Sequence, residues 1–123
     1  MKVRRLGSSG LKVSVVGLGC NNFGMRIDAA QTQAVVDAAI EAGITLFDTA
    51  DIYGGTKSEE FLGKALGKRR HEIVLATKFG MRIGGDPKKQ GGSRKWIMQA
   101  VEDSLGRLTP IEFETLTQTA HAA

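Results

Sequence analysis

The sequence predicts an α/β fold in which three βα units follow a short β-hairpin. Over the 123 residues, apolar runs typical of strands alternate three times with segments whose apolar residues recur at helical spacing. Two further short apolar runs near the N-terminus flank Gly7-Ser8-Ser9-Gly10, a sequence suited to a tight reversal. Strands that alternate with amphipathic helices are joined by right-handed crossovers, so the three later strands should form a parallel sheet.

The hairpin and the first unit account for the N-terminal part of the chain. Residues 3–6 and 11–13 are predicted to pair as the hairpin, and residues 13–18 form a nearly continuous apolar run of the kind buried on both faces of a sheet. A polar loop containing glycines follows. The first helix is expected to have Asp28 as its N-cap and to end at Gly43. Its inward stripe is predicted to be Thr32, Val35, Val36, Ala39 and Ile40.

The second and third units repeat the pattern of the first. A strand over residues 44–47 precedes a helix that begins near Ser58 and ends at Gly67. A third strand over residues 73–77 leads into a long, basic, glycine-rich loop at residues 80–92, a length typical of a functional lid or a mobile segment. Ser93 is the expected N-cap of the last helix, whose inner face is predicted to be Ile97, Ala100, Val101, Leu105 and Leu108.

Three side chains that can carry chemistry follow the second and third parallel strands. Asp48 ends the second strand, Tyr53 lies in the loop after it, and Lys78 ends the third strand. Because the strands are expected to be parallel, all three should emerge at the same edge of the sheet. Each alone has an ordinary explanation: a capping or turn carboxylate, a loop anchor, and a lysine that extends to water.

The combination of these three residues favours a catalytic interpretation. A positive charge beside a phenol favours the phenolate, so Lys78 would make Tyr53 a better proton donor. A tyrosine that donates a proton near neutral pH is a general acid. Asp48 would orient Lys78 through a charge-assisted hydrogen bond.

Composition excludes several other classes of function. The net charge is +4, but the basic clusters at residues 68–70 and 88–89 lack the interleaved aromatic residues of a nucleic-acid-binding surface. Cys20 is the single cysteine, so neither a disulfide framework nor a cysteine-based metal site is expected, and its predicted role is packing. No apolar run approaches the ~20 residues of a membrane span, and no signal-type segment begins the chain. We therefore expect a cytoplasmic protein that binds neither nucleic acid nor membrane.

Gly17 and Gly19 match the first two glycines of the dinucleotide-binding fingerprint. The full pattern requires a third glycine at the position that Asn22 occupies, and the loop before the first helix is long for that motif. A tight turn from strand to loop explains the two glycines better.

The chain resembles the N-terminal part of members of the aldo-keto reductase family. FDTADIYG, SEEFLGKAL, VLATKFG and SRKWIMQAVEDSLGRL match the family's order and spacing over residues 1–108. The resemblance implies a partial TIM (β/α)₈-type barrel, preceded by the family's N-terminal hairpin, with active-site residues at the carboxyl ends of the strands. It also implies reduction of small-molecule aldehydes and ketones with NADP(H). Asp48, Tyr53 and Lys78 match three members of the family's Asp-Tyr-Lys-His catalytic tetrad.

Residues 109–123 depart from the family pattern. Thr109, Pro110 and Glu112 suit the start of a short helix rather than a fourth strand, and His121 does not match the tetrad histidine. The segment LTPIEFE is similar to the C-terminus of some insertion-sequence transposases, which indicates a truncated reductase with a foreign tail. Since the resemblance places most cofactor-binding groups on later strands, these residues alone are expected not to bind NADP(H) or catalyse reduction. The alternative function is a non-catalytic remnant that at most self-associates through its open sheet edges.

Overall fold

The computed structural model describes residues 1–109, and the expectations for residues 110–123 lie outside this range. The described chain forms five strands, three α-helices and a 3₁₀ helix. In chain order these are β1 (Val3–Arg5), β2 (Lys12–Ser14), β3 (Gly17–Gly19), α1 (Ala29–Glu41), β4 (Leu46–Asp48), α2 (Lys57–Leu66), the 3₁₀ helix (Gly67–Glu72), β5 (Val74–Ala76) and α3 (Arg94–Leu108).

The strands form the two predicted sheets. β1 and β2 pair antiparallel as the hairpin. The other three strands form a parallel sheet in the order β3-β4-β5. In its register, Gly19, Asp48 and Ala76 lie side by side at the carboxyl ends of the strands. The three βα units after a hairpin confirm the prediction of a partial barrel, and the described residues do not close a barrel.

The first parallel strand is shorter than predicted. The apolar run is divided between two sheets, because residues 13 and 14 belong to β2 and the parallel strand begins only at Gly17. Between them the chain bends, and the Ser14 hydroxyl donates to the Val16 carbonyl over 2.6 Å. Ser14 and Thr45 also exchange two hydrogen bonds of 2.9 Å, which fasten the hairpin to the segment before β4. Gly17 and Gly19, expected at a tight turn from strand to loop, are therefore both strand residues.

The ends of the helices follow local capping chemistry. Asp28 and Gln31 form a reciprocal capping box at the start of α1, and the Ser93 side chain accepts the Trp96 amide at the start of α3, as predicted for both N-caps. α2 begins slightly earlier than expected, after Thr56 in the left-handed region (φ 81°), and ends at Gly67 as predicted.

The core lies between the parallel sheet and the helices. Its largest fully buried apolar side chains are Phe47, Leu62, Leu66 and Val36. The inner face of α3 differs from the prediction: Trp96, Ala100, Ser104 and Leu108 are buried, whereas Val101 and Leu105 remain 48% and 47% exposed. These two residues line an open apolar groove beside β5. In residues 1–109, no helix has both the length and the apolar character needed to cross a membrane.

Candidate active site

The structure brings Asp48, Tyr53 and Lys78 together at the carboxyl edge of the parallel sheet. The Lys78 ammonium group donates to Asp48 Oδ1 over 2.6 Å and to the Thr49 carbonyl over 2.7 Å. The same ammonium nitrogen lies 5.1 Å from the centre of the Tyr53 ring. An acid, an amine and a phenol thus form one contiguous group, which requires β4 and β5 to be neighbours.

The group is accessible to a small molecule. The side chains of Lys78 and Asp48 are 49% and 54% exposed. Partial burial opposes the charge on Lys78, but the hydrogen bond and charge of Asp48, and then Tyr53, outweigh it and raise the pKa of Lys78 above its ordinary value. Lys78 therefore stays a cation throughout the neutral pH range.

Backbone hydrogen bonds position the loop that carries Tyr53. Beyond the strand ends, the Thr49 amide donates to the Ala76 carbonyl over 2.9 Å and the Asp51 amide donates to the Lys78 carbonyl over 3.0 Å. These bonds continue the pairing of β4 with β5 past the last strand residues. The Tyr53 loop is therefore attached directly to the main chain of Lys78.

A glycine lets this loop pack against the segment after β3. Gly54 has φ +61°, and a side chain there would place its Cβ 2.8 Å from the Phe23 carbonyl oxygen. Both the backbone angle and the close approach require glycine. The loop that carries Tyr53 thus lies between the end of β5 and the segment at Phe23.

Two buried polar residues in the first turn of α2 were missed as part of the site. Ser58 and Glu59 are both 0% exposed, and neither was among the candidate site residues predicted from the sequence. The Glu59 carboxylate accepts from the Thr77 hydroxyl and from Arg107 Nε, each over 2.6 Å. A signal was available in the sequence, since Glu59 lies three residues before Leu62 and seven before Leu66 and so shares their face of the helix.

Cys20 is buried in the core, in agreement with its predicted packing role. Burial is the main cause that raises the pKa of its thiol to about 12. The thiol is therefore protonated and unreactive at neutral pH. Among residues 1–109, no group of three or more histidine, cysteine, aspartate or glutamate side chains is arranged to hold a metal ion.

Comparison with known proteins places this chain in a family. The sequence model described as "Aldo/keto reductase family" matches residues 15–113. The chain is similar to the uncharacterized oxidoreductase YqkF of Bacillus subtilis, with 44% identity over 110 residues covering 88% of this chain and 35% of that protein. It is also 38% identical over 112 residues to a probable voltage-gated potassium channel subunit beta of Oryza sativa subsp. japonica, covering 88% of this chain and 34% of that protein.

A solved structure supports the same assignment. The holo form of the aldo-keto reductase AKR11C1 from Bacillus halodurans superimposes with a TM-score of 0.79 at 43% identity, covering 88% of this chain and 36% of that chain. The chain thus spans about a third of the length of the relatives that it matches. On the family match, the sequence relatives and the shared fold, the chain belongs to the aldo/keto reductase family of oxidoreductases.

Proposed function

We propose that Asp48, Tyr53 and Lys78 form the proton-donating part of a site that reduces aldehydes and ketones with NADP(H). The observation that carries this proposal is the Lys78 ammonium group, which lies 2.6 Å from the Asp48 carboxylate and 5.1 Å from the Tyr53 ring centre. The family membership of the chain supports the reaction class.

In this mechanism Tyr53 would donate its hydroxyl proton to the oxygen of the substrate carbonyl, and NADP(H), when bound, would supply the hydride to the carbonyl carbon. The Lys78 cation stabilises the phenolate that Tyr53 becomes. Asp48 and the Thr49 carbonyl each accept a hydrogen bond from Lys78, so the ammonium group is held near the ring.

NADP(H) is the hydride source that the family resemblance implies. Gly17 and Gly19 do not fit the phosphate part of such a cofactor, because they are paired strand residues rather than a phosphate-binding loop and Asn22 replaces the third glycine of the fingerprint. We therefore assign none of these residues to the cofactor. We propose that residues 1–123 alone neither bind NADP(H) measurably nor catalyse reduction, since preorganised contacts are needed to offset the ordering cost of binding. Calorimetric titration giving a dissociation constant of about 10 μM or below would contradict this.

The proposed roles can be tested in a chimera. Residues 1–109 would replace the matching part of YqkF, and consumption of NADPH would be measured with simple aldehydes. Tyr53→Phe keeps the packing of the ring and removes the proton donor, so kcat should fall by about 10²–10⁴-fold. NADPH affinity should change little. A Tyr53→Phe chimera that retains the parent rate would show that Tyr53 is not the acid.

The role of Lys78 is tested in the same chimera by comparing two lysine-to-methionine substitutions. Lys78→Met should lower kcat because the phenolate loses its neighbouring cation. Lys64→Met, an exposed lysine on α2, is the matched control and should leave the rate unchanged. Equal effects of the two substitutions would argue against a specific role for Lys78.

A second candidate function is self-association. β5 pairs with β4 on one side, and within the described residues its other edge has no strand partner. Beside this edge lies a cavity of about 300 Å³, and its lining includes Phe79, Val101 and Leu105, each more than two-fifths exposed. An open edge next to an apolar surface favours pairing with another chain.

Sedimentation velocity on the 123-residue chain tests this candidate. We expect a concentration-dependent oligomer that Val101→Glu converts to a monomer. Met98→Glu is the control, since Met98 is also exposed on α3 but does not line the cavity. A wild-type chain that sediments as a monomer at all concentrations would remove this candidate.

A further inference from the structure

The first turn of α2 contacts the carboxyl ends of all three parallel strands through two adjacent side chains. These side chains, Ser58 and Glu59, are fully buried, although both are polar. Consecutive residues of a helix point about 100° apart, so neighbours in the sequence can reach different strands. We refer to Ser58 and Glu59 as the α2 clamp.

Ser58 joins the first two strands. Its hydroxyl donates to the carbonyl of Cys20, the residue after β3, over 2.7 Å. It also shares a 2.9 Å hydrogen bond with the hydroxyl of Thr49, the residue after β4. One side chain thus connects the ends of β3 and β4.

Glu59 joins the third strand to α3. Its Oε1 accepts from the hydroxyl of Thr77, the residue after β5, and its Oε2 accepts from Arg107 Nε, both over 2.6 Å. Burying a charged group is costly unless it is paired and hydrogen-bonded, and each oxygen of Glu59 accepts a hydrogen bond. Arg107 is itself mostly buried, with 20% of its side chain exposed.

These contacts lead directly to the candidate active site. Thr77 immediately precedes Lys78, and the Lys78 carbonyl accepts from the amide of Asp51 in the Tyr53 loop. Thr49, held by Ser58, supplies the second acceptor for the Lys78 ammonium group through its carbonyl. Glu59 touches neither the Lys78 side chain nor Tyr53 in any described hydrogen bond, so it would act through Thr77.

We propose that Glu59 is a positioning residue: paired with Arg107, it fixes the end of β5 through Thr77 and so sets Lys78 against Asp48 and Tyr53. The significance of this position for reduction rests on the function proposed above for Lys78 and Tyr53. The positioning itself does not, because it is a property of the folded chain.

Amide hydrogen exchange on the 123-residue chain, followed by NMR, tests the positioning without any assay of activity. The reporter is the Asp51 amide, which donates to the Lys78 carbonyl beyond the end of β5. The reference is the Val74 amide at the start of the same strand, which donates to the Thr45 carbonyl over 2.7 Å. Glu59→Gln should accelerate exchange at Asp51 by about tenfold relative to Val74, the effect of losing roughly one hydrogen bond to a charged group.

Glu60→Gln provides the matched control. Glu60 neighbours Glu59 and also accepts from a threonine hydroxyl, that of Thr56 over 2.7 Å, but this contact lies within its own helix start. The control should leave both amides unchanged. Thr77→Val removes the same hydrogen bond from the strand side and should reproduce the selective effect even if Glu59→Gln does not fold. Thr77→Ser keeps the hydroxyl, so the exchange rates of both amides should remain those of the wild-type chain.

Several outcomes would overturn the proposal. Parallel acceleration at Asp51 and Val74 in Thr77→Val would indicate a general loss of stability rather than positioning. Unchanged exchange at Asp51 in Thr77→Val, or an unprotected Asp51 amide in the wild-type chain, would show that the clamp does not fix this end of β5. An inactive chimera with the expected exchange pattern would instead reject the proposed function and leave the positioning role intact.

Discussion

The crossing of α2 and α3 offers a sharp test of the fold, because a substitution that ordinarily stabilises a helix should destabilise this one. Gly63 is buried in α2 where the two helices cross. A Cβ at this position would clash with the carbonyl oxygen of Arg107, well inside the 3.4 Å at which ordinary van der Waals contact begins. The atom that it meets belongs to backbone, so α3 as a whole would have to move.

The expected magnitude combines three effects of Gly63→Ala. Alanine favours the helix over glycine by about 0.8–1.0 kcal/mol. Forcing an extra carbon into a packed contact costs about 1–3 kcal/mol. Moving α3 also weakens the Arg107–Glu59 pair. A buried charge left without its partner costs about 3–5 kcal/mol. The cost here is smaller, because the Arg107 side chain is one-fifth exposed to solvent. We expect a net loss of about 2–4 kcal/mol in the free energy of unfolding.

Urea unfolding of the 123-residue chain, followed by circular dichroism, measures this loss. Gly92→Ala is the matched control, since a Cβ there meets nothing within 4 Å and the residue has no positive φ. The control should change stability by no more than about 1 kcal/mol. A Gly63→Ala variant as stable as the wild type would refute the close helix crossing and, with it, the placement of Arg107 against Glu59.

Three further predictions concern buried groups. Leu62→Ala should lower the free energy of unfolding by about 2–5 kcal/mol, measured by urea titration, because Leu62 is fully buried in the core. Cys20 should not react with a thiol reagent at neutral pH unless the chain unfolds, since burial raises the pKa of its thiol to about 12; rapid labelling of the native chain would contradict this. Burial, and then the charge of Glu59, raises the pKa of Asp51 above 3.8 in the folded chain. Protonated Asp51 therefore favours folding, and this contribution to stability is lost as the pH rises through the pKa of the folded state. Asp51→Asn should therefore be more stable than wild type at neutral pH, with the difference shrinking below pH 3.8 in unfolding curves; a pH-independent difference would argue against this.

The sequence was sufficient for the order of elements and for the parallel sheet, because those depend on local periodicity and capping. Asp28 and Ser93 are N-caps in the structure since their side chains accept amides three residues ahead, a purely local interaction. Parallel order also places Asp48 and Lys78 at the same edge of the sheet, on adjacent strands that lie about 4.8 Å apart, although their contact requires the correct register as well.

Features that depend on long-range packing were not accessible from the sequence. The run at residues 13–18 is uniformly apolar, so nothing local shows that it bends between two sheets. On α3, Val101 was predicted to face inward but is exposed, whereas Ser104 is buried. The reason is that the helix packs against Gly63 near Leu108 rather than along its most apolar stripe. The partner of Glu59 was likewise not accessible, because Arg107 lies 48 residues away in the chain.

The register between β4 and β5 is the structural quantity on which the candidate site depends most. A slip of one residue would turn every side chain of a strand to the opposite face and would separate Lys78 from Asp48. Both strands contain only three residues, so the ladder within them supplies few hydrogen bonds to resist such a slip. The bonds from Thr49 to Ala76 and from Asp51 to Lys78 extend the pairing by backbone contacts. Strands this short need further contacts at their ends to hold the register. The buried Glu59 at the start of α2 provides one such contact through Thr77 at the end of β5.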